Sequence, residues 1–440
     1  MMYLLGVLIA AAGVALSIAL HEVGHLVPAK IFGVKCTQYM VGFGKTIWSR
    51  TRGETEYGLK LIPLGGYVRM IGMFPPRAQD HGKLRRSSSN PLHLMIEQAR
   101  QDSLDEIQPG DEDRAFYQRP VWQRLIIMGG GPLMNLAIAT VLIGMILTVH
   151  GIGVIKPTVA AVAQCANVDV TDEDCAGQAP SPARAAGLQV GDTFVSVDGT
   201  PVSTWPETTY AIQNAGDQAI FVVERGGQRR TVTAELVMRD RPLMTPDGTV
   251  QVDAEGQPVL GQVGFLGATP TLAMEKQPVT AVPGYVGEMF TGTATVVLTL
   301  PQRLVDISQA AFGTEERDPN GPMSVVGVGR VAGEVADGGF SDSPVPLGDR
   351  MWFLVSLIAS LNMALFVFNL IPLLPLDGGH IAGGLWEALK KGWAKVRGLP
   401  MPGPVDTAKA LPVAYAVAIG LLGMTALLVY ADIVRPISLG

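Results

Sequence analysis

Two histidines and a glutamate follow the first apolar stretch of the chain, in the order His21-Glu22-Val23-Gly24-His25. Residues four apart lie on one face of a helix, so His21 and His25 can bind the same metal ion. Neutral imidazoles at this spacing suit zinc, which needs three protein ligands and one open position for hydrolysis. Bound zinc lowers the pKa of a water molecule to about 7, and Glu22 is placed to act on that water. The motif predicts a hydrolytic zinc site.

A simpler interpretation is that the two histidines only reach from the end of an apolar segment toward the membrane surface. That interpretation accounts neither for Glu22 nor for the crowding of three ionisable groups at the end of an apolar segment. Ionisable groups in such a position are costly and are usually functional. We therefore favour the metal site.

The third ligand must come from another part of the chain. The other histidines are His81, His93, His150 and His380. The first two lie in a polar segment rich in Ser and Arg, and the span order described below places His150 at the opposite membrane face. Only His380 remains, in the stretch 369–380, NLIPLLPLDGGH.

The prolines and glycines of this stretch predict irregular backbone at membrane depth, which is tolerated only where protein or a water-filled cavity covers it. Asp377 is the preferred ligand in this stretch, because carboxylate oxygen binds zinc at a distance similar to imidazole nitrogen. His380 stays open as an alternative ligand or as a neighbour that supports one.

Four apolar windows are long enough to cross a bilayer, which takes about 20 residues in a helix. They are Tyr3–Leu20, Leu125–Leu147, Trp352–Leu376 and Leu411–Tyr430. Charged residues make up only 16% of the chain, below the roughly 25% of soluble domains. The first window could instead be a signal peptide, but no Lys or Arg precedes it and no clear cleavage site follows. A polytopic membrane protein is predicted.

Basic residues near the ends of the windows predict the orientation, because cytoplasmic loops are enriched in Lys and Arg. They follow the first window, precede the second, and lie between the third and fourth: Lys30, Lys35, Lys45, Arg119, Arg124, Lys390, Lys391, Lys395 and Arg397. The N-terminus and the long stretch between the second and third windows are expected outside the cytoplasm. The segment Pro75–Asp113 is expected to be a flexible cytoplasmic loop.

Net charge and cysteines exclude some functions. The net charge of −6 and the absence of a polybasic tail make nucleic acid an unsuitable partner. The three cysteines have no CxxC spacing, which argues against a cysteine-built metal site. Cys165 and Cys175 fall in the expected extracytoplasmic part, where a disulfide is one of two open outcomes. Cys36 is expected to be a buried thiol.

The region from about Pro157 to Leu260 is β-rich, and its residues 181–199 are similar to the SPAxxAGLxxGDxIxxVxG stretch of bacterial PDZ domains. One such domain is predicted. It could bind an extended peptide end, exclude bulky substrates by size, or be purely architectural. Thr291–Leu300 is expected to form an amphipathic or membrane-resting helix and not a fifth span. Gly321–Gly327 has no physical role assigned.

Three motifs together resemble the site-2 protease family of intramembrane metalloproteases. These are HEVGH after the first window, GPLMN at residues 131–135 in the second, and NLIPLLPLDGG at residues 369–379 in the third. The resemblance covers most of the chain and is greatest to the bacterial branch with one PDZ domain. One departure is the spacing of Pro372 and Pro375, which are separated by two residues where the family has one.

This resemblance implies an endopeptidase that cuts membrane-spanning segments, such as those of anti-sigma factors or signal-peptide remnants, in the bacterial inner membrane. It implies that His21, His25 and Asp377 hold Zn²⁺ and that Glu22 is the catalytic base. Asn369 and Asn135 would support the substrate or its oxyanion, although an interhelical hydrogen bond is an equal explanation for Asn135. Residues Val41–Met70 would form a β-hairpin that dips into the membrane, with an ordinary cytoplasmic hairpin as the open alternative.

The predicted fold class is an α-helical polytopic membrane protein with four transmembrane helices, a membrane-dipping β-hairpin and an inserted extracytoplasmic PDZ-like β-rich domain. Its expected parts are 1–150, 155–268, 269–350 and 351–440, the third being an extracytoplasmic linker with an amphipathic helix.

Two alternatives belong to other functional classes. A membrane scaffold that binds peptides and has lost catalysis would show a damaged motif set, yet all four residues are present. A metal transporter would be expected to contain internal repeats, and none is evident. An intramembrane zinc endopeptidase is the preferred prediction.

Overall fold

The computed structural model describes residues 1–76, 91–166, 175, 177–253, 257–313, 317, 321–338 and 345–436. The chain divides into two compact units. One combines Met1–Thr148 with Pro278–Gly440 and is mainly helical, apart from one β-hairpin. The other is the β-rich unit Val149–Gln277. His81 and Ser87–Ser89 lie outside the described residues.

Among its described residues, the helical unit contains four helices that are long and apolar enough to cross a membrane. Including the short turns that extend two of them, they span Met2–Ile31, Val121–His150, Leu347–Asn369 and Thr407–Val434. The α-helices themselves are α1 (Met2–Ile31), α3 (Val121–Met145), α9 (Leu347–Asn369) and α11 (Leu411–Val434), and α2 (Pro91–Asp105) lies between the first two. The four predicted windows thus coincide with four helices.

Two helix ends differ from the predicted windows in a way that matters for the site. Helix α1 continues past Leu20 to Ile31, so the HEVGH motif forms its next turns. Helix α9 ends at Asn369, and not at Leu376. The early end has a local cause, because Pro372 lacks an N–H and disfavours helical backbone in the residue before it.

Helices α1 and α3 approach closely at a pair of glycines. A Cβ atom on Gly24 would lie 2.3 Å from the carbonyl oxygen of Gly130, and a Cβ on Gly130 would lie 2.0 Å from that of Gly24. Any side chain at either position would force the two backbones apart. These two glycines therefore allow the HEVGH and GPLMN motifs to face each other.

The hairpin formed by β1 (Cys36–Arg52) and β2 (Thr55–Met70) folds back on itself. Residues 36–41 pair with residues 66–70 on one side and with residues 56–59 on the other. Residues 66–70 consequently lie at an edge of this small sheet within the described part of the chain. Large apolar side chains are exposed around the hairpin, namely Phe43, Ile47, Trp48, Leu59, Leu61 and Ile62.

The segment expected to be a flexible cytoplasmic loop contains the helix α2. Its Arg100 is buried and forms ion pairs with Glu97 at 2.5 Å and with Asp406 at 2.7 Å. The expectation of an unstructured loop is therefore wrong for residues 91–105, because a charge pair distant in sequence anchors the helix.

The β-rich unit is built around one antiparallel sheet. Its strands are β3 (Ile152–Val162), β4 (Thr193–Val197), β5 (Thr200–Pro201), β6 (Gln218–Arg225), β7 (Gln228–Glu235) and β10 (Ala268–Glu275), with β8 (Val237–Pro242) and β9 (Leu260–Phe265) in a separate pair. The order across the main sheet is β10-β3-β4-β6-β7, and β5 pairs with β4. The described part of the unit also contains two short helices, α4 (Pro182–Ala185) and α5 (Trp205–Asn214), and Phe194 and Phe221 are fully buried in its core.

Two details of this unit answer questions that the sequence left open. Cys165 and Cys175 form a disulfide, whereas Cys36, in the helical unit, is a buried free thiol. Strand β10 pairs with β3 along its length, so the compact unit extends to Gln277, beyond the expected boundary at residue 268.

In the described part of residues 278–346, three α-helices lie where one was expected. They are α6 (Val282–Leu298), α7 (Leu300–Phe312) and α8 (Val325–Asp337). The predicted window Thr291–Leu300 overlaps the junction between α6 and α7. The apolar face of α7 packs against α11 through Ile307 and Ala311.

The segment Gly321–Gly327 has a structural role. Ser324 caps the N-terminus of α8 and also donates from its backbone and its hydroxyl group to Asp432 near the end of α11, at 2.7 and 2.5 Å. Asp432 is only 4% exposed and forms an ion pair with Arg317 at 2.5 Å. This buried network joins α8 to the end of α11.

Candidate metal centre and active site

The HEVGH motif presents two imidazoles on one face of α1. The Nε2 atoms of His21 and His25 lie 3.2 Å apart, as the spacing of four residues predicts. His25 is held by a contact of 2.8 Å between its Nδ1 atom and the carbonyl oxygen of Ile127 on α3. Because a carbonyl oxygen can only accept, Nδ1 carries the hydrogen, and Nε2 keeps its lone pair for a metal.

Asp377 brings a carboxylate to the same point. It is the first residue of α10 (Asp377–Arg397), which begins directly after the proline-rich turn that follows Asn369. Its Oδ2 atom lies 3.2 Å from Nε2 of His21 and 3.3 Å from Nε2 of His25. This oxygen is buried and has no hydrogen-bond partner within the described residues.

Two local features hold Asp377 in place. The turn packs so closely on the start of α10 that a Cβ on Gly378 would lie 2.2 Å from the carbonyl oxygen of Ile371. Farther along α10, the buried Glu387 pairs with Arg124 of α3 at 2.6 Å. Helix α3 therefore supports both α1 and α10.

The three side chains fit a zinc ion. Ligand atoms about 2.0–2.2 Å from zinc at tetrahedral angles are roughly 3.3–3.6 Å apart, and the three distances here are 3.2, 3.2 and 3.3 Å. Space exists beside the two nitrogens because residue 131 has no side chain. A Cβ on Gly131 would lie 2.2 Å from Nε2 of His25 and 2.7 Å from Nε2 of His21.

A cavity of about 370 Å³ opens onto this cluster. Seven of the residues that line it were selected from the sequence: His21, Glu22, His25, Asn135, Asn369, Asp377 and His380. Glu22 is only 9% exposed and lies against the edge of the hairpin, where a Cβ on Gly66 would come 2.8 Å from its Cγ atom. Gly65, Gly66, Tyr67 and Val68 form the wall of the cavity on that side.

Three other candidates, His93, His380 and Asn369, do not belong to the metal cluster. Within the described residues, the one group of His, Cys, Asp and Glu side chains that could hold a metal is His21, His25 and Asp377. His380 lines the cavity but is not part of that group, and His93 is exposed on α2. Asn369 is the last residue of α9 and also lines the cavity.

Asn135 lines the same cavity and makes a contact between two helices, which is one of the two explanations that the sequence left open. It is fully buried on α3, and its side-chain amide lies 3.0 Å from Nδ1 of His21. Gly66, Gly131 and the carbonyl group of Ile127 were not identified from the sequence. Gly131 could have been considered, because it lies in the GPLMN motif, but its role depends on which helix it faces.

The fold and the site define a metallopeptidase of the HExxH type, built among helices long and apolar enough to span a membrane. The family model described as "Peptidase family M50" matches residues 9–399. The chain belongs to peptidase family M50, the site-2 protease family.

Curated relatives agree with this assignment. Over full length in both chains, this protein is 34% identical to "Zinc metalloprotease Rip1" of Mycobacterium tuberculosis and 32% identical to the protein of the same name from Mycolicibacterium smegmatis. It is 27% identical to "Metalloprotease MmpA" of Caulobacter vibrioides, with 85% of this chain and 84% of that one covered. The predictions of the family, of a metalloprotease and of zinc as its cofactor are confirmed.

Proposed function

We propose that this zinc metalloprotease cuts the membrane-spanning segments of single-span proteins, with His21, His25 and Asp377 as metal ligands. One observation carries the proposal. The three ligand atoms converge between helices that are long and apolar enough to cross a bilayer. The third belongs to Asp377, which follows the turn at the end of α9. A peptide bond reaching this cavity would belong to a segment inside the membrane.

The metal and the residues around the cavity would each have a separate role in the reaction. Zinc bound at this cluster would supply Lewis acidity and lower the pKa of a water molecule. Glu22 would accept the proton of the attacking water and deliver it to the departing amide nitrogen. The side-chain amide of Asn369, which lines the same cavity, would donate to the carbonyl oxygen of the scissile bond.

The hairpin gives the enzyme a means of holding an extended substrate. A helical peptide bond is shielded by its own backbone, so the substrate must unwind before attack. Residues 66–70 form a sheet edge that borders both the cavity and Glu22. Pairing with this edge would hold the substrate backbone extended beside the metal ligands. The exposed apolar side chains of the hairpin support its placement in the membrane.

The β-rich unit is proposed to be a PDZ domain. Strand β10 ends the main sheet, and a cavity of about 390 Å³ lies between its first residues and α5, lined in part by Trp205, Ile212 and Leu266. An extended peptide end could add to β10 in this groove. Binding of a substrate end and exclusion of bulky substrates are both compatible with this geometry.

The proposed setting is the bacterial inner membrane, with the active site toward the cytoplasm and the β-rich unit outside. The distribution of Lys and Arg around the four apolar helices supports this orientation. The proposed substrates are anti-sigma factors or signal-peptide remnants, the single-span segments that the family resemblance implies. A scaffold without catalysis is disfavoured, because the ligand triad and Glu22 are complete and share one cavity.

The test compares the wild type with Glu22→Gln on a single-span model substrate in liposomes. The glutamine variant keeps His21, His25 and Asp377, so both proteins should contain equal zinc. We expect cleavage by the wild type only, with a loss on the order of 10²-fold or more in the variant. Equal cleavage by the two proteins would remove Glu22 from the chemistry.

A further inference from the structure

The environment of Asn135 is inconsistent with one orientation of its side-chain amide. With the amide nitrogen facing His21, Nδ2 lies 3.0 Å from Nδ1 of the imidazole. The amide oxygen is then buried without a hydrogen-bond partner. The oxygen and nitrogen of an Asn amide have nearly the same shape, so their assignment must follow from the hydrogen bonds.

The role of His21 decides that assignment. Its Nε2 atom faces Asp377 and His25, so Nε2 must keep its lone pair if the cluster holds zinc. The hydrogen of the neutral ring is then on Nδ1, which needs an acceptor. An amide nitrogen cannot accept, whereas the amide oxygen can. Either orientation leaves one end of the amide unpaired among the described residues, so the contact with His21 is decisive.

His25 shows the same arrangement on the same helix. Its Nδ1 atom contacts the carbonyl oxygen of Ile127 at 2.8 Å. Ile127, Gly131 and Asn135 are spaced by four residues and therefore lie along one face of α3. That face therefore presents three features in sequence. Ile127 supplies an acceptor for His25, Gly131 leaves space beside the imidazoles, and Asn135 can supply an acceptor for His21.

We propose that Asn135 is a positioning residue, whose Oδ1 atom accepts the Nδ1 hydrogen of His21 and so fixes the tautomer and the ring orientation needed to bind zinc. This rests on the proposed metal site. Of the two explanations that the sequence left open for Asn135, this proposal takes the interhelical hydrogen bond and not the contact with substrate. Partners of this kind raise the affinity of a metal site by about 10- to 100-fold.

The test measures zinc affinity in the full-length protein by competition with a chromophoric chelator, without any substrate. Asn135→Leu removes the acceptor at similar volume and should weaken zinc binding about 10- to 100-fold. Asn135→Asp keeps an oxygen in the same place and should bind zinc within about threefold of the wild type. If Asn135→Leu does not fold, Asn135→Ala replaces it.

Two controls separate this inference from its alternatives. Asn362→Leu removes another buried Asn, which contacts Ser17 of α1 at 2.9 Å, and should leave zinc affinity unchanged. His21→Ala tests the metal site itself, and unchanged affinity in that variant would contradict the proposed function.

Provided that His21→Ala binds zinc more weakly than the wild type, three results would overturn the proposed role of Asn135. The first is wild-type zinc affinity in Asn135→Leu despite reduced cleavage, since that pattern belongs to a group that contacts substrate. The second is an equal loss of affinity in Asn362→Leu, since that pattern indicates general destabilisation. The third is a loss of affinity in Asn135→Asp as large as that in Asn135→Leu.

Discussion

Gly131 lies so close to His25 that a Cβ atom on the glycine would come 2.2 Å from Nε2 of the imidazole. The glycine thus leaves room beside the atom that is proposed to bind zinc. This relationship makes the GPLMN motif a part of the metal site, although it supplies no metal ligand.

Gly131→Ala should therefore impair zinc binding. The added methyl group would have to displace both imidazoles, because it would also lie 2.7 Å from Nε2 of His21. We expect at least about a tenfold loss of zinc affinity, measured by chelator competition. The matched control is Gly129→Ala on the same helix, where a Cβ meets no atom within 4 Å. Equal affinity in the two variants would show that the space beside the imidazoles is not needed.

Gly66→Ala should impair catalysis and not metal binding. A Cβ at residue 66 would lie 2.8 Å from Cγ of Glu22 and 3.1 Å from the carbonyl oxygen of Met40, so Glu22 would have to move. We expect kcat to fall by about tenfold or more while the zinc content stays that of the wild type. Zinc analysis and cleavage assays on the same preparations check this. An unchanged kcat would mean that Glu22 is not held by the hairpin edge.

The β-rich unit should lose stability in acid because of one ion pair. Asp192 is fully buried, and burial alone would raise the pKa of its carboxyl group. The hydrogen bonds from Arg225, at 2.6 Å, and from the backbone of Gln189, at 2.9 Å, together with the positive charge of Arg225, outweigh that effect and lower the pKa below its usual value.

Because the pKa is lower in the folded state, the pair contributes stability above the unfolded pKa of about 3.9. That contribution is lost as the pH falls through the folded value. Asp192→Asn should cost about 2 kcal/mol at pH 7 and less at pH 3. Hydrogen exchange of the β4 and β6 amides at both pH values measures the difference, and an equal cost at the two pH values would contradict it.

The network at Asp432 should matter for stability and not for chemistry. Removing the carboxylate in Asp432→Ala leaves Arg317, which is itself buried, without its charge partner. We expect a cost of about 3–5 kcal/mol, seen as a lower unfolding temperature of the full chain in detergent. The double variant Asp432→Leu with Arg317→Met should be less destabilised than the single variant, because no charge is left buried. If the double variant is instead less stable than Asp432→Ala, the ion pair itself stabilises the fold.

The parts of the site that the sequence predicted are those controlled by local rules. The spacing of His21 and His25 fixes their common face on one helix, and Pro372 accounts for the end of α9 at Asn369. The same rules placed the four apolar helices and the β-rich region from about Pro157 to Leu260.

The parts that were missed depend on contacts between elements distant in sequence. The role of Gly131, and the choice between the two explanations left open for Asn135, depend on the face that α3 turns toward α1, which no local pattern specifies. The helix α2 in a segment expected to be a loop is anchored by Arg100 on Asp406, about 300 residues away. Sequence periodicity contains no information about such pairs.

The most direct test of intramembrane cleavage is to locate the cut by mass spectrometry. A single-span substrate is reconstituted in liposomes with the wild type or with Glu22→Gln, and the new chain ends are identified. We predict ends inside the apolar segment with the wild type and none with the variant. Cuts confined to the aqueous flanks of the substrate would contradict the proposal that the cluster of His21, His25 and Asp377 acts within the membrane.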